Sequence, residues 1–132
     1  MFSSDYRAAR AAEATLGALR QRLVDDEAEA LARELPEELA QILRGGAYDA
    51  DFGVEELYRR VRDREGIPLG RATELAQVVC QALAGAMSAE LRLRLSGHLP
   101  ADLAELLTPR AAPPPPPAPE HREREAPPGE GR

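Results

Sequence analysis

One short pattern occurs twice in this chain. Leu35-Pro36-x-x-Leu39-Ala40 returns 64 residues later as Leu99-Pro100-x-x-Leu103-Ala104. The match extends well beyond it. At the same shift Ala8–Leu43 aligns with Ala72–Leu107 without a gap, and ten of the 36 positions are identical. Among the identities are Ala8/Ala72, Ala12/Ala76, Ala18/Ala82, Leu19/Leu83, Leu31/Leu95 and Leu43/Leu107. A gapless register with paired prolines reads as an internal duplication. A unit of this size is too small to hold a core alone, so two copies are expected to share one.

Each copy reads as three helices. In the first, Ala12, Leu16, Leu19 and Leu23 recur at helical spacing from about Asp5 to Val24. Asp25 is the expected N-cap of a second helix carrying Ala28, Leu31 and Leu35. Pro36 suits the first turn of a third, where a missing amide hydrogen costs nothing. Leu39, Ile42 and Leu43 form its apolar stripe, and Gly45-Gly46 stops it. An extra helix over 53–65, with Val54, Leu57, Tyr58 and Val61 on one face, precedes the second copy. There a long helix from Leu69 to Ala86 is expected to bury Ala72, Leu75, Ala76, Val79, Cys80 and Leu83. Ser88 caps the next helix, with Leu91 and Leu95; Leu99-Pro100 opens the last, with Leu103, Leu106 and Leu107. The alanines should let the long helices approach closely, so leucine at Ala76 or Ala82 should overpack their contact.

Composition agrees with helices. The apolar residues include 24 Ala and 18 Leu against seven Ile plus Val, and there is no Trp. That bias favours helix over sheet. The expected architecture is all-α: a bundle of about seven helices from two pseudo-symmetric three-helix repeats (5–45 and 69–108) plus the connecting helix, forming one body over 4–108. Beyond it, 109–132 is expected to be a disordered proline-rich tail. From Ala111 onward there are eight prolines, five of them consecutive at Pro113–Pro117, and no Leu, Val, Ile or aromatic residue. Such a segment cannot bury enough apolar area to offset its chain entropy.

The long Ala/Leu helix, the short helix and the Leu-Pro-x-x-Leu helix together resemble the bacterial family called domain of unknown function 2267. Its members are similar in having two such units joined by an Arg-Gly-x-Tyr-type connector. Here that stretch reads Arg44-Gly45-Gly46-Ala47-Tyr48-Asp49-Ala50-Asp51-Phe52. The family's Phe-x3-Val-x4-Gly helix appears as Leu57-x3-Val61-x4-Gly66. Two features depart from the pattern: Phe52 stands where Trp is expected, and the first unit lacks the helix that precedes the second. The resemblance implies the fold and assigns no activity.

The residues offer little chemistry. Cys80 is the single thiol, so no internal disulfide forms, which fits a reducing, cytoplasmic setting. It aligns with Leu16 and reads as a core residue. His98 reads as a solvent-facing residue at a helix end, and His121 lies in the tail. Asp49-x-Asp51-x-Gly53 fails the EF-hand spacing, since loop positions six and twelve are Val54 and Arg60. Asp51 is instead the expected N-cap of the connecting helix. One Cys and two distant His exclude a structural zinc site. Asp25-Asp26-Glu27-x-Glu29 reads as a solvated helix start. Arg59-Arg60-x-Arg62-x-Arg64 is interleaved with acids, and Glu55 and Glu56 can pair with Arg59 and Arg60. Gly45-Gly46 lacks the strand and the glycine spacing of a nucleotide loop. No catalytic, cofactor or metal residue is assigned.

A formal charge of -6 disfavours a nucleic-acid partner. No run approaches the ~20 apolar residues of a membrane span, and the first 15 residues lack an apolar leader core. What remains is a non-enzymatic interaction module, with the tail as spacer or partner ligand. Leu91 and Leu93 are its candidate interaction surface, since residues two apart on a helix cannot both face the core. The partner would be an unknown protein or a second copy. The alternative is a small apolar-ligand or lipid-tail binder using a cavity between the repeats lined by Cys80, Ala76 and Leu16.

Overall fold

The computed structural model describes residues 3–110, with side chains from Ala8 onward. The tail beyond Arg110, and the proline-rich disorder expected of it, lie outside the described residues. Seven helices make up the described part: α1 (Ser3–Arg22), α2 (Asp25–Ala32), α3 (Glu37–Gly45), α4 (Val54–Glu65), α5 (Leu69–Ala86), α6 (Ala89–Ser96) and α7 (Ala101–Leu106). There is no strand among them, so the fold is all-α. The starts of α2 and α6, and of α3 and α7, are each 64 residues apart, the shift at which the sequence matches itself.

Three helices form the centre. α1, α4 and α5 pack against one another; α2 and α3 lean on the α1 side, α7 touches α4 and α5, and α6 packs on α7. α2 meets α6 across the two sides. From Ala14 to Arg20 every residue of α1 is buried, so this helix is covered all round for nearly two turns. Leu16, Leu19 and Leu23 join Leu31, Leu43, Leu57, Val61, Ala76, Cys80, Leu95 and Leu103 in one continuous core.

A Cβ on Gly17 would lie 2.5 Å from Arg64 Nη1, so the bare backbone here lets the end of the Arg64 side chain rest on α1. Gly66 closes α4 in the left-handed region at φ 67°, the one described position that requires glycine for backbone reasons.

The helix ends are held largely by side chains from other elements. Ser88 caps α6 as expected, its Oγ accepting from Leu91 N at 3.1 Å. The cap is itself held from the turn after α2, since Ser88 N and Oγ donate to the two oxygens of Glu34 at 2.7 and 2.8 Å. Asp102 of α7 reaches the start of α4 and accepts from Val54 N at 3.3 Å. Arg92 of α6 closes the end of α5, donating to Met87 O at 2.7 Å and Ala84 O at 3.3 Å. At the end of α1, Arg20 Nη1 donates to Leu23 O, and Arg22 Nε to Phe52 O, both at 2.7 Å. Two expected caps are corrected. Asp25 is the first residue of α2, and its carboxylate accepts from Arg20 Nη2 at 2.7 Å instead of capping. Asp51 accepts from the Tyr48 hydroxyl at 2.6 Å, and Gly53 occupies the N-cap position of α4.

The two long helices are not equally enclosed. Ala14 and Ala18 of α1 are buried, but at the matching positions of α5 Val78 is 69% exposed and Ala82 is exposed. Ala82 is therefore a correction to the expected close contact, because no element among the described residues lies over that face of α5. Ala76 is fully buried. Ala76→Leu should lower stability by ~1–3 kcal/mol through overpacking, whereas Ala82→Leu should change it by no more than about 0.5 kcal/mol. Thermal melts of the two variants check the difference.

Candidate functional site

α6 carries both leucines of the expected interaction surface, and they separate. Leu91 turns inward and is 4% exposed, which corrects its assignment: it is core, packed with Leu95. Leu93 turns outward and is 76% exposed, the most exposed of the large apolar residues among those described. Two steps of a helix rotate the side chain by about 200°, so burying one exposes the other. Arg92, between them, anchors α6 to the end of α5 and leaves Leu93 on a fixed helix.

The seam between α2 and α6 holds the polar residue that sequence patterning missed. Glu27 is 3% exposed, not solvated with its acidic neighbours. Its carboxylate meets His98 Nδ1, just after α6. His98 is thus at a helix end, as expected, with a side chain 62% exposed, but it also supplies the partner for a buried acid. The available signal was register: Glu27 aligns with Leu91, a core position. The neighbouring Glu29 lies outside, bridged to Arg44 of α3 by bonds of 3.0 and 3.1 Å. Those bonds hold its carboxyl below the ordinary range.

The arginine run on α4 is largely paired. Arg59 meets Glu55 and Glu56, Arg60 meets Glu56 and Asp49, and Arg62 meets Asp63. Arg60 also lies 4.3 Å from the centre of the Phe52 ring.

Cys80, Ala76 and Leu16 are fully buried in the core, and none lines the surface clefts described here. Burial pushes the Cys80 thiol up to about 12. A cleft of about 490 Å³ opens between α4, α5 and α7, lined by Val54, Tyr58, Gln77, Asp102, Leu106 and Pro109. Among the described residues no group of three or more His, Cys, Asp or Glu could hold a metal ion.

Two predictions follow from this geometry. Glu27→Leu places at the seam the residue that α6 has at the aligned position, and His98 keeps its water; stability should hold or rise. His98→Ala leaves a buried carboxylate without its partner and should cost about 1–3 kcal/mol. Urea unfolding of both variants reads the order directly, and the reverse order would contradict the assignment. The Cys80 thiol should resist a maleimide at neutral pH until the chain unfolds, because neither access nor thiolate is present in the native state. Mass spectrometry with and without denaturant measures this.

Neither the curated proteins nor the solved structures give a match. A family model does: that of the uncharacterized conserved protein DUF2267 matches residues 1–106, which include all seven helices. With the match running over most of the chain and its whole helical body, the protein belongs to the DUF2267 family.

Proposed function

We propose that the chain is a non-enzymatic helical interaction module whose contact surface centres on Leu93 of α6. The carrying observation is the 76% exposure of Leu93 in a body whose other α6 leucines, Leu91 and Leu95, are buried. Isolated apolar side chains on a surface are ordinary. This one differs in standing on a helix clamped at both ends, by Glu34 at Ser88 and by His98 against Glu27. A pre-organised contact residue loses little freedom on binding.

The reading assigns no catalytic residue. Cys80 is buried with a raised pKa, and His98 is engaged at the seam rather than at a nucleophile. It also assigns no nucleic-acid partner, given the negative net charge and the paired arginines of α4. Within the same reading the body is a duplicated unit in a reducing, cytoplasmic setting, and the segment beyond Arg110 is a spacer or a ligand for a partner.

A second reading, an apolar-ligand binder, is favoured by the cleft beside Val54, Tyr58 and Leu106. That cleft also carries Asp102, Glu105 and Arg110, which suit water better than a lipid tail, so the first reading is preferred.

Leu93→Glu in the full chain tests the proposal. Melting should move by no more than about 0.5 kcal/mol, as for other surface changes, and association with self or partner should be lost. Unchanged mass in size exclusion together with unchanged partner capture would overturn it.

A further inference from the structure

We infer that the occupant of the Leu93 face is a second copy of this chain, docked α6 against α6, antiparallel, about a twofold axis. The inference rests on the reading of Leu93 as a contact residue and adds the partner's identity.

The charges of α6 carry it. Of its two arginines, Arg92 is bound to Met87 O and Ala84 O, while Arg94 makes no hydrogen bond or ion pair among the described residues. Glu90 is likewise exposed and without a partner there. The two are four residues apart in the order that favours an intrahelical pair, yet they do not pair. On α2 and α3, by contrast, Glu29, Arg33, Glu37 and Arg44 form a linked set. Glu90, Leu93, Arg94 and Gly97 lie at i, i+3, i+4 and i+7 and so share one face. All four are exposed.

This face is self-complementary in one orientation only. With two α6 helices antiparallel about a twofold axis, Glu90 meets the partner's Arg94 and Arg94 meets the partner's Glu90. Leu93 then packs beside its symmetry mate near the axis. A parallel arrangement would set Glu90 against Glu90 and Arg94 against Arg94. Ala89, Ser96 and Gly97 around the leucine are small and exposed, so the helices can come close. An eight-residue helix spans about 12 Å, so the contact is small and the dimer weak and concentration-dependent.

Sedimentation velocity on the full chain, over a concentration series at low salt, is the experiment. The wild-type chain should move toward twice its monomer mass as concentration rises. E90R and R94E should each associate about tenfold more weakly, because each sets like charges across the axis twice. An equimolar mixture should regain dimer, since the E90R chain presents two cations where the R94E chain presents two anions. Circular dichroism melts confirm that both variants are folded. Both changes oppose the helix dipole, E90R in the first turn and R94E in the last, so rescue in the mixture, where each chain keeps its own dipole cost, is the readout that isolates pairing across the axis. A wild-type chain that stays monomeric throughout, variants that dimerise like wild type, or a mixture without rescue each overturn the inference. If the chain is monomeric but Leu93→Glu still abolishes capture of a different protein, the second-copy assignment falls and the interaction reading stands. If Leu93→Glu changes neither, both fall.

Discussion

The buried stretch of α1 is the constraint on which the rest depends. With no Trp and few aromatics, this chain has few large side chains to fill space between widely spaced helices. Its helices come close around α1, where the small side chains of Ala14 and Ala18 are buried. Leu16, Leu19 and Leu23 then reach the core on several sides. Such a centre is polar-poor but not polar-free. Arg20 and Arg22 are buried near the end of α1, where they meet the carbonyls of Leu23 and Phe52 and the carboxylates of Asp25 and Asp51. Arginine suits this task, because its stem packs on the helices while its fork satisfies several acceptors.

Short peripheral helices are marginal by themselves. Here α2, α3, α6 and α7 each have nine residues or fewer. Their stability therefore comes from packing and from ends satisfied by distant side chains. Glu34 at Ser88 and Asp102 at Val54 tie positions 54 and 48 residues apart. The consequence for function is geometric. α6 is held by Glu34 at its start, by Arg92 to α5, and by His98 to Glu27 just past its end, so its outer face is presented on a fixed frame.

Much of this arrangement was legible in the sequence. Helical spacing of Leu and Ala, with Gly45-Gly46, Gly66 and the Leu-Pro pairs as punctuation, located seven helices, most to within a residue or two; α2 ends at Ala32, three residues before the Leu35 it was expected to carry. Ser88 was readable as a cap because its local geometry suffices. What escaped depends on tertiary partners. Asp25 and Asp51 are sound cap residues locally, but Arg20 and Tyr48 compete for their carboxylates. Ala82 shares a register with buried Ala18, yet lies on a face of α5 that no described element covers. Glu27 belongs to an acidic run and still faces the core, because His98 stands opposite it. The separation of Leu91 from Leu93 was implicit in helical rotation; which of the two turned outward was not, since α6 could be docked by either face.

The central claim is that both halves fold around one shared core rather than as two neighbouring units. Native-state hydrogen exchange measures that directly. The account predicts that the slowest amides of α1, within Thr15–Leu19, and of α5, within Ala76–Cys80, share one opening free energy, equal to that of global unfolding. Two separate opening energies, with residues 3–45 exchanging well before 69–106 or the reverse, would contradict it.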